Sequence, residues 1–349
     1  MSQAASRGIQ SGHNEGEGAS STVDSDRAFD LKAVYAPICR DLESVETILR
    51  KELSSQTPFV DQLLEHSWLL GGKRIRPAFL LLSAACCGKV EQPHFQMAAA
   101  LEMIHTATLI HDDILDEAKT RRHQATANSL WGNKISVLLG DYLFTHAFHV
   151  ASLAESTQAL RLLAQASNRV CEGEMRQNNW QGDFDLSEES YLRMISEKTA
   201  ELCQVGCRLG ALLSGAESEL VESFATYGRN LGVAFQIIDD VLDVVGQPDE
   251  VGKTLGTDLV NQKPTLPVIH CLEHLGNESR AELRKILVDP TATTEVIIPF
   301  LAKTQSLDYA RGVARDHAQS AMDFTDLLDA NEYSASLRLL AEFVLQRTH

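Results

Sequence analysis

The run HFQMAAALEMIHTATLIHDDILDEA, residues 94–118, decides how the rest of this chain is read. Rich in Ala, Leu and Met and free of Gly and Pro, it predicts one long helix, apolar for most of its length. On a helix, positions i, i+3 and i+4 share a face. Asp112 and Asp116 therefore stack, with Asp113 alongside, and Thr108 and His105 fall one and two turns earlier on the same stripe. Carboxylates this close repel, and burying them is costly unless they are paired or bound to metal. A solvated acidic face is the plain alternative.

A second run, FQIIDDVLD (235–243), weighs against that alternative. It repeats the i, i+1, i+4 spacing with Asp239, Asp240 and Asp243, again in apolar sequence, and Gln236 precedes it on the same face. If the two helices face each other, six carboxylates converge, and about three Mg²⁺ ions would balance them. Mg²⁺ takes only one or two carboxylates in a typical site and draws its other ligands from water and substrate phosphates. The expected guest is a diphosphate gripped through metal.

Cations flank both clusters. Lys73, Arg74 and Arg76 lie in the interrupting loop GGKRIRP, Arg121 and Arg122 follow the first triad, Lys198 and Thr199 fall in SEKTAEL, and Lys253 and Lys263 follow the second triad. Each alone reads as a solvated residue. As a group they read as two anion sites, because guanidinium forks and ammonium charges suit phosphate oxygens.

Composition bounds the rest. The 349 residues carry a net charge of −17, which argues against nucleic-acid binding but not against a local basic pocket. The seven cysteines, an odd number with no CxxC pair, read as buried thiols in a reducing compartment. No apolar run is long enough to span a bilayer, so stable membrane insertion is not expected and a cytoplasmic location is. Residues 1–28, rich in Gly, Ser and acidic residues, read as a disordered tail. Residues 29–349 read as one all-α domain of ten or more helices around a central cavity. Helices are expected over DLKAVYAPICRDLESVETILRKEL, PFVDQLLEHSWLL and AFLLLSAACC, and near 136–155, 157–179, 188–214, 217–245, 263–275 and 306–345. Gly71 and Gly72 suit a helix end, QPDE (247–250) a loop, and no convincing strand is found.

GGKRIRP, HDDILDEAKTRR, EKTAEL, FQIIDDVLD, GKTLGTDL and KPTLP stand in the order of the trans-isoprenyl diphosphate synthases, which the chain resembles from about residue 60 to 270 and more loosely beyond. It is most similar to the long-chain, octaprenyl-type members. The resemblance implies an isoprenoid-synthase-type helical bundle around a deep cavity, usually homodimeric. It implies Mg²⁺-dependent head-to-tail condensation of isopentenyl diphosphate with an allylic diphosphate, for quinone side chains.

By this resemblance Asp112, Asp116, Asp239 and Asp243 belong to the metal or its immediate shell, with Asp113 and Asp240 close by. Lys73, Arg76, His105 and Arg122 match the isopentenyl diphosphate site. Arg121, Lys198, Thr199, Gln236, Lys253 and Lys263 match the allylic site, where Lys198 also steadies the carbocation. Ala107, Thr108 and Ala151, all small, match positions that set chain length in relatives and imply a product longer than geranylgeranyl; Leu101, Ile104 and Phe148 would close the tunnel sooner. His123 and Gln262 stand where relatives carry glycine. The rival readings are a medium-chain synthase, a non-catalytic subunit of a heteromeric synthase, and a terpene cyclase. A cyclase lacks GGKRIRP and the second DDxxD, and a weak subunit loses charged residues that are all present here.

Overall fold

The computed structural model describes residues 31–69, 72–122, 124–246, 256–289 and 291–346. The expected tail, the QPDE loop, Gly71, His123 and Lys253 lie outside the described residues. The chain is a sequence of helices: α1 Leu31–Tyr35, α2 Cys39–Glu52, α3 Pro58–Leu69, α4 Ile75–Cys87, α5 Gln92–Leu115, α6 Ala127–Trp131, α7 Asn133–Ser152, α8 Thr157–Asn179, α9 Glu188–Ile195, α10 Glu201–Leu213, α11 Ser218–Val245, α12 Thr257–Val260, α13 Leu266–His274, α14 Asn277–Leu287, α15 Thr294–Lys303, α16 Ser306–Thr325 and α17 Glu332–Gln346.

Pro37 splits the first expected helix, with a short 3₁₀ turn over Ala36–Ile38 between α1 and α2. The expected helix near 306–345 is broken between Thr325 and Glu332 into two. Thr120–Arg121 and Gln124–Ala125 pair as a two-residue antiparallel hairpin, too short to leave an alternating pattern in the sequence. It hangs the arginine pair beside the end of α5.

The interior follows the hydrophobic pattern. α4 is buried continuously from Pro77 to Ala84, which a helix apolar all round requires. α10 packs against both α4 and α11, and α5 packs along α7. These crossings are close because the contact residues are small. A methyl group on Gly210 of α10 would stand 2.1 Å from the Leu80 carbonyl oxygen of α4. A second cluster, built on Val268, Leu272, Leu283 and Ile297, ties α13, α14 and α15 to the end of α11.

Close packing leaves that crossing no slack. Gly210→Ala is expected to lower the unfolding free energy in urea by about 1–3 kcal/mol; an unchanged midpoint would contradict the crossing described here.

Candidate active site

α5 and its C-cap carry the first triad, and α11 the first two aspartates of the second, to the wall of one cavity of about 1680 Å³. Asp112, Asp113, Asp116, Asp239 and Asp240 line it, as do Lys73, Arg76, His105, Thr108, Arg121, Arg122, Lys198, Thr199, Gln236 and Lys263. The sequence expectation thus brings 15 of its residues to one place. Three others, Asp243, Ala107 and Ala151, lie elsewhere.

The aspartates within each triad do different things. Asp112 and Asp116 meet ammonium groups: Lys198 Nζ lies 3.9 Å from Asp112, and Lys263 Nζ donates to Asp116 at 2.7 Å. Asp113 is buried and accepts from Arg121 Nε at 2.8 Å, so it orients that arginine. Asp240 accepts from Tyr191 Oη at 2.6 Å and from Gln236 Nε2 at 2.7 Å, and Thr199 Oγ1 donates to Gln236 Oε1 at 2.8 Å. Both Asp240 oxygens therefore serve a hydrogen-bond chain that fixes Thr199 and Gln236 at the wall. Asp243 is buried away from the cavity, with its oxygens accepting from Thr257 Oγ1 and Asp258 N. Five of the six expected carboxylates thus line one cavity; the sixth, Asp243, is a correction, held away by Thr257 and Asp258, and Asp113 and Asp240 are partly committed to neighbouring side chains.

Lys198 sits on one turn of π-helix, Ser196–Ala200, between α9 and α10. Such a widened turn shifts side-chain directions and recurs at functional sites. Gly173 of α8 lets the turn come near, since a methyl there would lie 2.5 Å from the Lys198 backbone nitrogen. This brings Glu174 and Gln177 of α8 to the lysine: Glu174 forms an ion pair with it, and Gln177 Oε1 accepts from Nζ at 2.7 Å. Burial pulls the ammonium's pKa down, but Asp112 and Glu174 outweigh this, and it stands above the ordinary lysine value. Glu174 and Gln177 escaped the sequence reading because in EGEMRQNN they look like solvated helix residues.

GGKRIRP spans the end of a loop and, from Ile75, the first turn of α4, so Arg76 is helical, and the motif is held from behind. Arg74 has a left-handed backbone (φ 54°), donates from Nε to Glu46 at 2.7 Å and from Nη1 to buried Glu102 at 3.0 Å, and lies over Trp68. Tyr35 Oη donates to the Lys73 carbonyl at 2.6 Å. Arg74 is thus tied back to Glu46 and Glu102 at the cavity edge, where Lys73 and Arg76 line the wall beside Arg122 and His105. Burial drives the His105 imidazole well below its usual pKa, and Arg76, Arg122, Arg121 and Arg74 push it the same way. Both effects favour its neutral form. Glu102, three residues before His105 on α5, was also missed, since one acidic residue in an apolar helix carries no spacing signal.

The three residues expected to set chain length lie in different places. Thr108 lines the cavity, with Phe144, Val170, Met194 and Leu202 supplying apolar wall. Ala107 is fully buried in a cluster with Leu63, Leu139 and Leu143, because one residue along a helix turns its side chain about 100° off the Thr108 face. Ala151 is fully buried in the main core. Gln262 has a left-handed backbone (φ 50°), a conformation that glycine adopts without strain.

The donor set suits a hard divalent cation. Among the described residues no three His, Cys, Asp or Glu side chains already converge as metal ligands.

The family model for polyprenyl synthetase matches residues 57–302. Octaprenyl diphosphate synthase of Haemophilus influenzae is 38% identical over 312 residues, 88% of this chain and 94% of that protein. The crystal structure of a decaprenyl diphosphate synthase from Rhodobacter capsulatus superposes with a TM-score of 0.87 at 33% identity, covering 92% of this chain and all of that one. That of a polyprenyl synthase from Caulobacter crescentus, complexed with calcium and isoprenyl diphosphate, also gives 0.87 at 32% identity, covering 93% and 100%.

Burial raises the Asp112 carboxyl to about 6, with Lys198 opposing and Glu174 and Asp116 adding to the rise. A carboxyl held above its unfolded value favours folding in its neutral form, so its contribution is lost as pH rises through about 6. In metal-free protein, Asp112→Asn is therefore expected to raise the thermal midpoint at neutral pH and to change it little below about pH 4. An equal shift at both pH values would contradict this.

Proposed function

This chain belongs to the polyprenyl synthetase family and is a prenyltransferase, and from that membership we propose that it condenses isopentenyl diphosphate with an allylic diphosphate to build a long all-trans polyprenyl diphosphate. The observation that carries the reading is the meeting of Asp112, Asp113, Asp116, Asp239 and Asp240 with the cationic side chains of GGKRIRP at one cavity with an apolar inner wall.

The residues divide the work by position. Lys73, Arg76, Arg122 and neutral His105 hold the diphosphate of isopentenyl diphosphate. Arg121, Lys198, Thr199, Gln236 and Lys263 hold the allylic diphosphate, with Asp113 and Asp240 orienting Arg121 and Gln236; Lys253 is assigned there on sequence alone. Asp112, Asp116 and Asp239 are the proposed ligands of divalent ions, for which we propose Mg²⁺, up to about three per site. When bound, such ions neutralise the diphosphate charge and make it a better leaving group. The basic side chains stabilise the same developing charge as the allylic C–O bond breaks. The carbocation stays beside Lys198 and the Thr199 hydroxyl, walled from water by Phe144, Val170 and Leu202. The isopentenyl double bond attacks it to form the new C–C bond, and a proton leaves for the departing diphosphate. No enzyme nucleophile takes part, so the cysteines need no role.

Product length rests on the inner wall. The family relatives support a long chain. Phe144 favours a medium-chain product instead: its ring lies 5.8 Å from Phe148 and stands about two turns of α7 before Ala151. A homodimer is supported by Leu130, Val137, Leu138 and Tyr142, which expose apolar surface on and before α7. Among the described residues no helix is long and apolar enough to cross a membrane. The seven free thiols suit a reducing compartment such as the cytoplasm.

Incubation with Mg²⁺, isopentenyl diphosphate and farnesyl diphosphate, followed by sizing of the dephosphorylated products, is expected to give chains longer than geranylgeranyl. Failure to extend any primer would refute the reading. Asp239→Ala is expected to cut kcat at least about a hundredfold with an unchanged circular dichroism spectrum, and near-normal turnover would remove Asp239 from the machinery. Phe144→Ala is expected to shift products to longer chains; an unaltered distribution would show that the floor lies elsewhere.

A further inference from the structure

Asp243 completes the second triad, and its spacing alone groups it with the metal ligands. Its surroundings give it another task. The residue is 1% exposed. One carboxylate oxygen accepts from Thr257 Oγ1 and the other from the Asp258 amide, both at 3.0 Å, and the Asp243 carbonyl accepts from Gly256 N at 2.9 Å. Both oxygens are committed to the first turn of α12. The space on that side is a void of about 10 Å³ bordered by Phe184, Leu259 and Val268. A void of this size is at most that of a single water, and Mg²⁺ keeps several.

α12 has four residues, too few to hold a helical turn by its own hydrogen bonds. The backbone just after α12 shapes the cavity. Lys263 N donates to the Asp258 carbonyl at 2.8 Å, and the Gln262 carbonyl accepts from Gly182 N at 2.9 Å. From that fixed backbone, Lys263 Nζ reaches Asp116 on the first triad. Asp258, Asn261 and Thr265 of the same segment also line the cavity. One contact chain therefore runs from Asp243 through α12 to Lys263 and across to Asp116.

We infer that Asp243 is a positioning residue whose carboxylate anchors segment 256–265, so that Lys263 spans the two triads, and that it is not a metal ligand. The metal half of this inference rests on the function proposed above; the anchoring half does not.

Hydrogen–deuterium exchange on the full-length, metal-free protein tests the anchor. In Asp243→Asn, amides of 257–263 are expected to exchange about tenfold faster than in the parent, while Asp239→Asn leaves them unchanged. Thr257→Val removes a donor from the other end of the contact and is expected to raise exchange at the same amides by a smaller factor, which guards against misfolding of the first variant. With inorganic diphosphate present, Mn²⁺ counted by electron paramagnetic resonance is expected to match the parent in Asp243→Asn and to fall in Asp239→Asn. KM for the allylic diphosphate should rise several-fold in Asp243→Asn, with KM for isopentenyl diphosphate held. Parent-like exchange in both Asp243→Asn and Thr257→Val, or fewer Mn²⁺ ions in Asp243→Asn than in the parent, would overturn the inference.

Discussion

Opposite charges held across one cavity are the constraint on which the rest of this structure depends. Lys263 reaches Asp116 from the segment after α11, and Lys198 lies against Asp112 from the π-turn before α10. Without these ammonium groups, the carboxylates of α5 would face one another and Asp239 in surroundings that already raise the Asp112 carboxyl to about 6. Without the carboxylates, the lysines and arginines would crowd the same space. Each sign makes the other tolerable, and the ligand proposed above, a metal-bound diphosphate, brings both.

Within each triad the middle aspartate does structural work. Asp113 and Asp240 have similar positions in their motifs and similar fates: each is buried and each holds the side chains that face the ligand, Arg121 in one case and Tyr191 with Gln236 in the other. The cationic side obeys the same logic. Arg74 looks equivalent to Lys73 and Arg76 in GGKRIRP, yet it turns inward to Glu46 and Glu102 and thereby fixes the loop. A motif that looks like a string of ligands is in space a ligand set with its own supports.

Much of this was legible in the sequence because it rests on periodicity. The long helices and the shared face of Asp112 and Asp116 come from a 3.6-residue repeat in apolar sequence, whereas the meeting of α5 and α11 at one cavity was only a condition that the spacing allowed. The parts that escaped depend on contacts between distant segments. Glu102, Glu174 and Gln177 are single polar residues whose partners lie 21 to 28 residues away. The burial of Asp243 depends on α12, and that of Ala107 on α3 and α7, which spacing along one helix cannot report. The break in α1–α2 was signalled by Pro37, whereas the break between α16 and α17 falls in DLLDAN, which lacks glycine and proline.

The central claim is that neither triad is a finished metal site and that the diphosphate supplies the missing oxygens. Calorimetric titration of Mg²⁺ into the protein, with and without saturating inorganic diphosphate, tests it directly. The account expects weak or undetectable uptake by the protein alone and tight uptake of more than one ion once diphosphate is present. Tight binding that is indifferent to diphosphate, or none in its presence, would contradict it.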